Sequence, residues 1–255
     1  MNSKWNPTQY NKFKDQRARP FYDLMSLIQD QPFEEAIDLG CGTGELTRKL
    51  FESFQIKHLL GIDASDEMLE KSKTFVTAGL EFQLQNIESF VPRSKYDLIF
   101  SNAALQWIDN HEVLVPKILS WLKPGGQIAI QVPCNFDHPS HTLASEVAHR
   151  LFPDMYRKGE QRLFVLPVEK YAEIFHNNGI EEQITRIEVY GNPMKSGLDV
   201  VEWTKGTMLT SYQSRLNPSD FDRFLKTYTE EIRKALGEGP YFYPFKRMLL
   251  WGKKI

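Results

Sequence analysis

The chain has 255 residues, 41% of them hydrophobic, enough for one α/β domain of full size with insertions. A formal net charge of -2 provides no broad attraction for a polyanion, so nucleic acid is not an expected partner. No apolar run approaches the roughly 20 residues of a membrane span. The polar, aromatic start "MNSKWNPTQYNKFKDQRARP" has no apolar core of the signal-peptide kind, so a cytoplasmic protein without a membrane partner is expected.

In chain order, "EAIDL" (35–39) predicts a first strand and "GELTRKLFESF" (44–54) a helix with Leu46, Leu50 and Phe54 on one face. "KHLLGID" (57–63) predicts a second strand, and Ser65 a cap for the next helix, with Asp66 and Glu67 in its positive first turn. "LEFQLQN" (80–86) and "YDLIFSN" (96–102) predict strands three and four, the latter nearly all apolar as in a sheet buried on both faces. A helix to about Leu122 follows, its regular part starting late because of Pro116; His111, beside Asp109 and Asn110, reads as capping chemistry. "KPGG" (123–126) stops that helix before a fifth strand, "QIAIQVP" (127–133). Then come a helix at 168–179, a strand at 180–191 and a last strand in "YPFKRMLLWGKKI". Strands alternating with helices of this length imply βαβ units. The expected fold is therefore α/β: a doubly wound, mostly parallel seven-stranded sheet. The expected organisation is a single domain over 1–255, with a core at 31–134. An N-terminal lid segment (1–30) and insertions at 135–167 and 195–240 are expected to form a helical lid.

In an open parallel sheet, ligands bind at the carboxyl ends of the strands. The turn after strand one, "DLGCGTG", places Gly40, Gly42 and Gly44 at that edge. A dinucleotide fingerprint needs glycine at 45, where this chain has Glu45, and no Walker phosphate loop is present. Asp38 and Glu45 make the turn acidic, which suits a cationic or neutral ligand better than a pyrophosphate. Asp63 ends strand two, where a carboxylate can accept two ribose hydroxyls.

"DLGCGTG", "GIDAS", "YDLIFSNAALQW" and "LKPGG", in this order and spacing, resemble the class I S-adenosylmethionine-dependent methyltransferases, whose fold is Rossmann-like. The resemblance implies S-adenosylmethionine as cofactor and S-adenosylhomocysteine as product. It implies Asp38, Gly40, Cys41 and Gly42 in the cofactor site, with Gly40 and Gly42 close to the methionine part, Asp63 at the ribose, Ala64 and Met68 beside adenine, Asn86 and Ile87 at the adenine edge, and Asn102 at the methionine end. Asn86 departs from a pattern that often has Asp; the amide keeps an acceptor and loses the charge.

Within that family, "WNPTQYNKFKDQRARP", "SNAALQWIDNH", "PSHTLASEVA" and "FKRMLL" resemble the aconitate-type carboxyl methyltransferases over nearly the whole chain. This implies methyl ester formation on a small carboxylate. A carboxylate with a pKa near 4 is already a nucleophile at neutral pH, so no general base is needed and catalysis is placement. The resemblance points to Tyr10, Arg17, Gln106, Trp107, His141 and Arg247 as acceptor residues, with Arg19 structural. Arginine suits the task because its fork meets a carboxylate with two hydrogen bonds. Two other readings stand beside it. One is methylation of a malonyl thioester on an acyl carrier protein or of a lipid-like acid, to which the 13% aromatic content is suited. The other is a non-catalytic S-adenosylmethionine-binding protein. Cys134 reads as a buried small residue, disulfides are not expected, and no ligand spacing points to a metal.

Overall fold

The computed structural model describes residues 14–157 and 164–255, with the backbone alone for 14–17. In chain order the elements are α1 (Lys14–Met25), β1 (Glu35–Leu39), α2 (Glu45–Ser53), β2 (His58–Asp63), α3 (Asp66–Ser72), β3 (Leu80–Leu84), β4 (Tyr96–Asn102), α4 (His111–Leu119) and β5 (Leu122–Pro133). These are followed by α5 (Pro139–Leu151), α6 (Val168–Asn177), β6 (Ile180–Met194), α7 (Asp199–Lys205), α8 (Leu209–Gln213), α9 (Pro218–Leu236) and β7 (Tyr241–Lys254). The seven strands form one sheet in the order β3-β2-β1-β4-β5-β7-β6. Strands β1 to β5 pair in parallel, and β7 runs antiparallel to β5. The order reverses at β1, where the chain crosses from β3 at the edge to β4 on the other side. A ligand crevice is expected beyond the carboxyl ends there.

The chain divides into two compact units. The larger comprises Arg19–Cys134, Phe164–Glu188 and Arg247–Ile255. On one sheet face, Leu98 and Phe100 of β4, Ala129 of β5, and Leu249 and Trp251 of β7 pack with Phe21 and Leu24 of α1, while Ile37, Ile99 and Ile128 are buried on the other. The Phe21 and Phe100 rings meet edge to face at 5.5 Å. Each buried leucine or phenylalanine among them contributes roughly 1.5–3 kcal/mol by leaving water. Helix α2 turns Leu50 into this core, with Leu46 and Phe54 packed beside it, as the fourfold spacing predicts. Ser65 caps α3 by accepting from the Met68 N–H at 3.4 Å, and Asp66 and Glu67 lie in its first turn.

Among the described residues, the other unit consists of 14–18, 135–157 and 189–246. It is mainly helical. Phe224, Tyr228 and Ile232 of α9 pack with Ala144, Val147 and Ala148 of α5. Helix α9 begins with Asn217 accepting from the Asp220 N–H at 2.9 Å and Pro218 at its first turn, and ends at Gly237.

Several expected boundaries shift. Helix α4 covers His111–Leu119 with Pro116 inside it, and residues Leu105–Trp107 form a separate 3-10 turn. Strand β5 begins at Leu122, so "KPGG" belongs to the strand. Tyr96 pairs with Leu122 and Leu98 with Gln127, so two steps along β4 match five along β5 and the extra residues bulge. At Gly126 a Cβ would come within 2.9 Å of the Lys123 and Tyr96 carbonyl oxygens, which excludes a larger residue from the bulge. His111 is no cap: it is buried, its Nδ1 bonds the Tyr171 hydroxyl, and its Nε2 lies 2.9 Å from the Leu105 carbonyl oxygen.

Candidate functional site

The turn between β1 and α2 leaves the sheet at Gly40, and all three of its glycines have positive φ: 82° at Gly40, 56° at Gly42 and 78° at Gly44. Non-glycine residues rarely adopt this region. The three positions differ in what surrounds them. A Cβ on Gly40 would sit 2.1 Å from the Ala104 Cβ, so the turn needs glycine to lie against the segment after β4. At Gly44 a Cβ would meet Phe82 and Ser72 at 2.8 Å. At Gly42 nothing among the described residues lies within 4 Å. Gly42 is therefore the glycine of the three that leaves open space at the strand ends.

Gly42 also meets the acid expected beside it. Its N–H donates to Asp63 Oδ2 at 2.9 Å, and the Ser65 N–H donates to Asp63 Oδ1 at 2.9 Å. Each carboxylate oxygen holds one backbone donor and keeps a lone pair for a further one. This locks the Asp63 rotamer and ties the end of β2 to the glycine turn. Next to it Ala64 is exposed and Met68 half-buried on α3, so Met68 is not a core residue. After β3, Asn86 is exposed and its Oδ1 accepts from the Glu88 N–H at 2.8 Å, while Ile87 is buried.

Asp38 lies beneath the turn, buried, with its Oδ2 accepting from the Thr47 hydroxyl at 2.6 Å. Burial lifts its pKa from 3.8 to about 7; the Thr47 hydrogen bond lowers it and the nearby Asp63 charge raises it. Burial and the same two carboxylates also push up the Cys41 thiol, which makes a nucleophilic thiolate there unfavourable.

A second polar group gathers at the ends of β4 and β5. Asn102 ends β4, Gln106 and Trp107 lie on the 3-10 turn after it, and Arg247 lies on β7, opposite Pro133 of β5. Arg247 is buried and its Nη1 donates to Gln131 Oε1 at 3.1 Å. Gln106 donates through Nε2 to the Ala103 carbonyl oxygen at 2.6 Å. Trp107 is 52% exposed, which rules out a core role under the following helix. Three buried side-chain atoms here have no hydrogen-bond partner among the described residues: Asn102 Oδ1, Gln106 Oε1 and Gln131 Nε2. Gln131 was not among the residues expected from sequence. The available signal was a pair of glutamines, Gln127 and Gln131, on one face of an otherwise apolar strand.

His141 belongs to the helical unit. Its Nδ1 lies 3.0 Å from Ser140 Oγ, and burial, with His138 beside it, lowers its pKa to about 4. It is a neutral ring at pH 7. Tyr10 and the Arg17 side chain lie outside the described residues.

Residues 32–179 match the family described as a methyltransferase domain. Together with the strand order and the turn after β1, this defines a class I methyltransferase. A trans-aconitate 2-methyltransferase of Deinococcus radiodurans is 36% identical over 250 residues, covering 96% of this chain and 96% of its own. One from Sinorhizobium fredii is 34% identical, covering 96% and 97%. The chain belongs to this trans-aconitate 2-methyltransferase family. Its fold is shared by a phosphoethanolamine N-methyltransferase of Haemonchus contortus, solved with S-adenosylhomocysteine, at TM-score 0.56 and 15% identity, covering 92% of this chain and 52% of that one.

Proposed function

We propose that the protein is an S-adenosylmethionine-dependent O-methyltransferase that converts a small carboxylate such as trans-aconitate into its methyl ester. The observation that carries the cofactor is the open Gly42 held against Asp63. The donor set fits a cationic ligand without phosphate. Asp63 retains acceptor capacity for ribose hydroxyls, and Asn102 Oδ1 is a buried acceptor suited to an ammonium. Asp38 adds a carboxyl to the same strand end. Ala64, Met68, Asn86 and Ile87 are assigned to adenine, and Gly40 and Cys41 to the backbone of the methionine cradle.

The bound cofactor supplies an activated methyl group on sulfur. What the chain must do is place an acceptor oxygen in line with that methyl at about 3 Å and keep water out. No side chain needs to take a proton, because the acceptor is ionised at neutral pH. Gln106, Trp107, His141 and Arg247, with Tyr10 and Arg17, are assigned to the acceptor. His141 would contribute as a neutral hydrogen-bonding group, since its lowered pKa withholds the positive charge. The N-terminal segment and the insertions at 135–167 and 195–240 are assigned to covering the acceptor. The reading includes a cytoplasmic location without nucleic-acid or membrane partners. Among the described residues no helix is long and apolar enough to cross a membrane.

The test is methyl transfer from labelled S-adenosylmethionine to a panel of free di- and tricarboxylates, with carrier-bound thioesters as the competing panel. A base-labile product from free acids is expected. Transfer only to carrier-bound thioesters would replace the acceptor assignment, and cofactor binding without any transfer would make the chain a binding protein.

A further inference from the structure

Strand β5 carries two buried glutamines on one face, Gln127 and Gln131, and their amides are used differently. Gln127 is engaged at both its oxygen and its nitrogen. Its Oε1 accepts from the Trp251 indole N–H at 2.9 Å and the Gln29 N–H at 2.8 Å, and its Nε2 donates to the Gln29 carbonyl oxygen at 2.8 Å. Gln131, four residues nearer the carboxyl edge, accepts from Arg247 through Oε1 while its Nε2 donates to nothing among the described residues. Arginine can only donate, so it fixes which end of this amide faces it. The oxygen turns to Arg247 and the two N–H bonds point elsewhere. A buried donor left unmet costs about 1–3 kcal/mol, a penalty that ordinary core glutamines such as Gln127 avoid.

The position says what would meet it. Leu98, Phe100 and Asn102 follow one another on the same face of β4, and Gln127, Ala129 and Gln131 are their register partners on β5. The face is apolar at Phe100 and Ala129 and turns polar at Asn102 and Gln131, the last pair before the strands end. Gln131 lies three strands from Asp63 of β2, roughly 14 Å at the usual strand spacing, so it stands well away from the ribose end of the cofactor. Asn102 Oδ1 and Gln106 Oε1 can only accept, whereas Gln131 Nε2 can only donate. The free donor calls for an acceptor atom, which a carboxylate oxygen supplies.

We propose that the Gln131 amide binds a carboxylate of the methyl acceptor, with Arg247 behind it as the positioning residue that orients the amide. The assignment rests on the carboxylate reading above. A neutral amide has a chemical advantage here: it holds the oxygen in place and leaves it more of its negative charge than a guanidinium in direct contact would. During transfer a carboxylate oxygen forms the bond to the methyl carbon, the carbon–sulfur bond breaks, its electron pair stays on sulfur, and no proton moves.

The experiment compares wild type, Gln131→Glu and Gln131→Met. It measures acceptor KM and kcat on the free carboxylate that wild type methylates best, S-adenosylhomocysteine Kd by calorimetry, and Tm. Glutamate faces Arg247 as an ion pair, so Gln131→Glu should keep or raise Tm. It should still raise acceptor KM by about tenfold or more, because it repels a carboxylate, and leave S-adenosylhomocysteine Kd within about twofold. Gln131→Met should raise acceptor KM similarly. An acceptor KM within about twofold of wild type in either folded variant overturns the proposal, as does unfolding of both, which would make the amide a structural brace. If S-adenosylhomocysteine Kd rises as much as acceptor KM, the amide serves the cofactor's own carboxylate and the proposal falls. Wild type that transfers methyl to no free carboxylate overturns this proposal together with the reading it rests on. Wild-type activity with indifferent variants overturns this one alone.

Discussion

Thr47 donates its hydroxyl to the buried Asp38 at 2.6 Å, and this bond does not offset the cost of burying that carboxyl, whose pKa is lifted to about 7. A carboxyl raised in the folded state binds its proton more tightly than in the unfolded chain. Its stabilising contribution is fully present below the unfolded pKa of 3.8 and is lost as pH rises through about 7. A rise from 3.8 to about 7 corresponds to roughly 4 kcal/mol, so the ligand-free protein should lose up to that amount from this group between about pH 4 and 7. Asp38→Asn should flatten the slope, with urea unfolding across that range as the readout. Under the proposed function the cofactor's ammonium favours the ionised form, so S-adenosylmethionine affinity should rise over the same window in wild type and not in Asp38→Asn. Parallel profiles for the two proteins would remove Asp38 from both roles.

Asp63 holds the Gly42 and Ser65 N–H groups, one on each oxygen. Asp63→Ala leaves both donors without that partner and takes away the proposed ribose acceptor. Cofactor affinity should fall by roughly 1.5–3 kcal/mol, the range for hydrogen bonds to a charged group. Asp63→Asn should fall between the two, because its amide presents one acceptor oxygen where the carboxylate presents two. Calorimetry with S-adenosylhomocysteine measures both. Unchanged binding in Asp63→Ala would show that the carboxylate serves the turn alone.

How far such features could be read in the chain depends on how local they are. The glycine turn and Asp63 were legible because a strand, a run of special backbone conformations and a second strand end follow within 30 residues. The fourfold spacing of Leu46, Leu50 and Phe54 and the Ser65 cap are likewise local. The start of β5 was not legible: "KPGG" carries the residues of a loop, and only pairing of Leu122 with Tyr96 makes it a bulged strand. His111 was misread because its partner, the Tyr171 hydroxyl, is 60 residues away. Gln131 was missed for the same reason, its guanidinium partner lying 116 residues later on an antiparallel strand.

Arg247 can be tested apart from Gln131. Arg247→Met keeps much of the side-chain volume and removes the guanidinium, at a cost of about 1–3 kcal/mol of stability for the acceptor it leaves unmet. It leaves Gln131 Oε1 without this donor, so the amide is free to turn over. Acceptor KM should rise by roughly tenfold or more, with S-adenosylhomocysteine Kd little changed. Arg247→Lys should not restore wild-type KM, since an ammonium lacks the planar fork that fixes the amide. Equal losses in acceptor KM and cofactor Kd would show that Arg247 supports the whole strand end rather than the acceptor.

Gly40 and Gly42 separate what the turn does for the fold from what it does for the ligand. Alanine at Gly40 puts a Cβ 2.1 Å from the Ala104 Cβ, an overlap that only movement of the turn relieves. Gly40→Ala should therefore lose roughly 1–3 kcal/mol of stability from overpacking, and cofactor affinity with it. Alanine at Gly42 meets nothing within 4 Å among the described residues, so its structural penalty there is the positive φ of 56°, about 1–2 kcal/mol. Its methyl group would stand in the open space assigned to the methionine part of the cofactor. Gly42→Ala should lower S-adenosylhomocysteine affinity by about tenfold or more while its unfolding free energy falls no further than the backbone strain requires. Calorimetry and urea unfolding on both variants make the comparison. Wild-type affinity in Gly42→Ala would move the ligand away from this turn, whatever happens at Gly40.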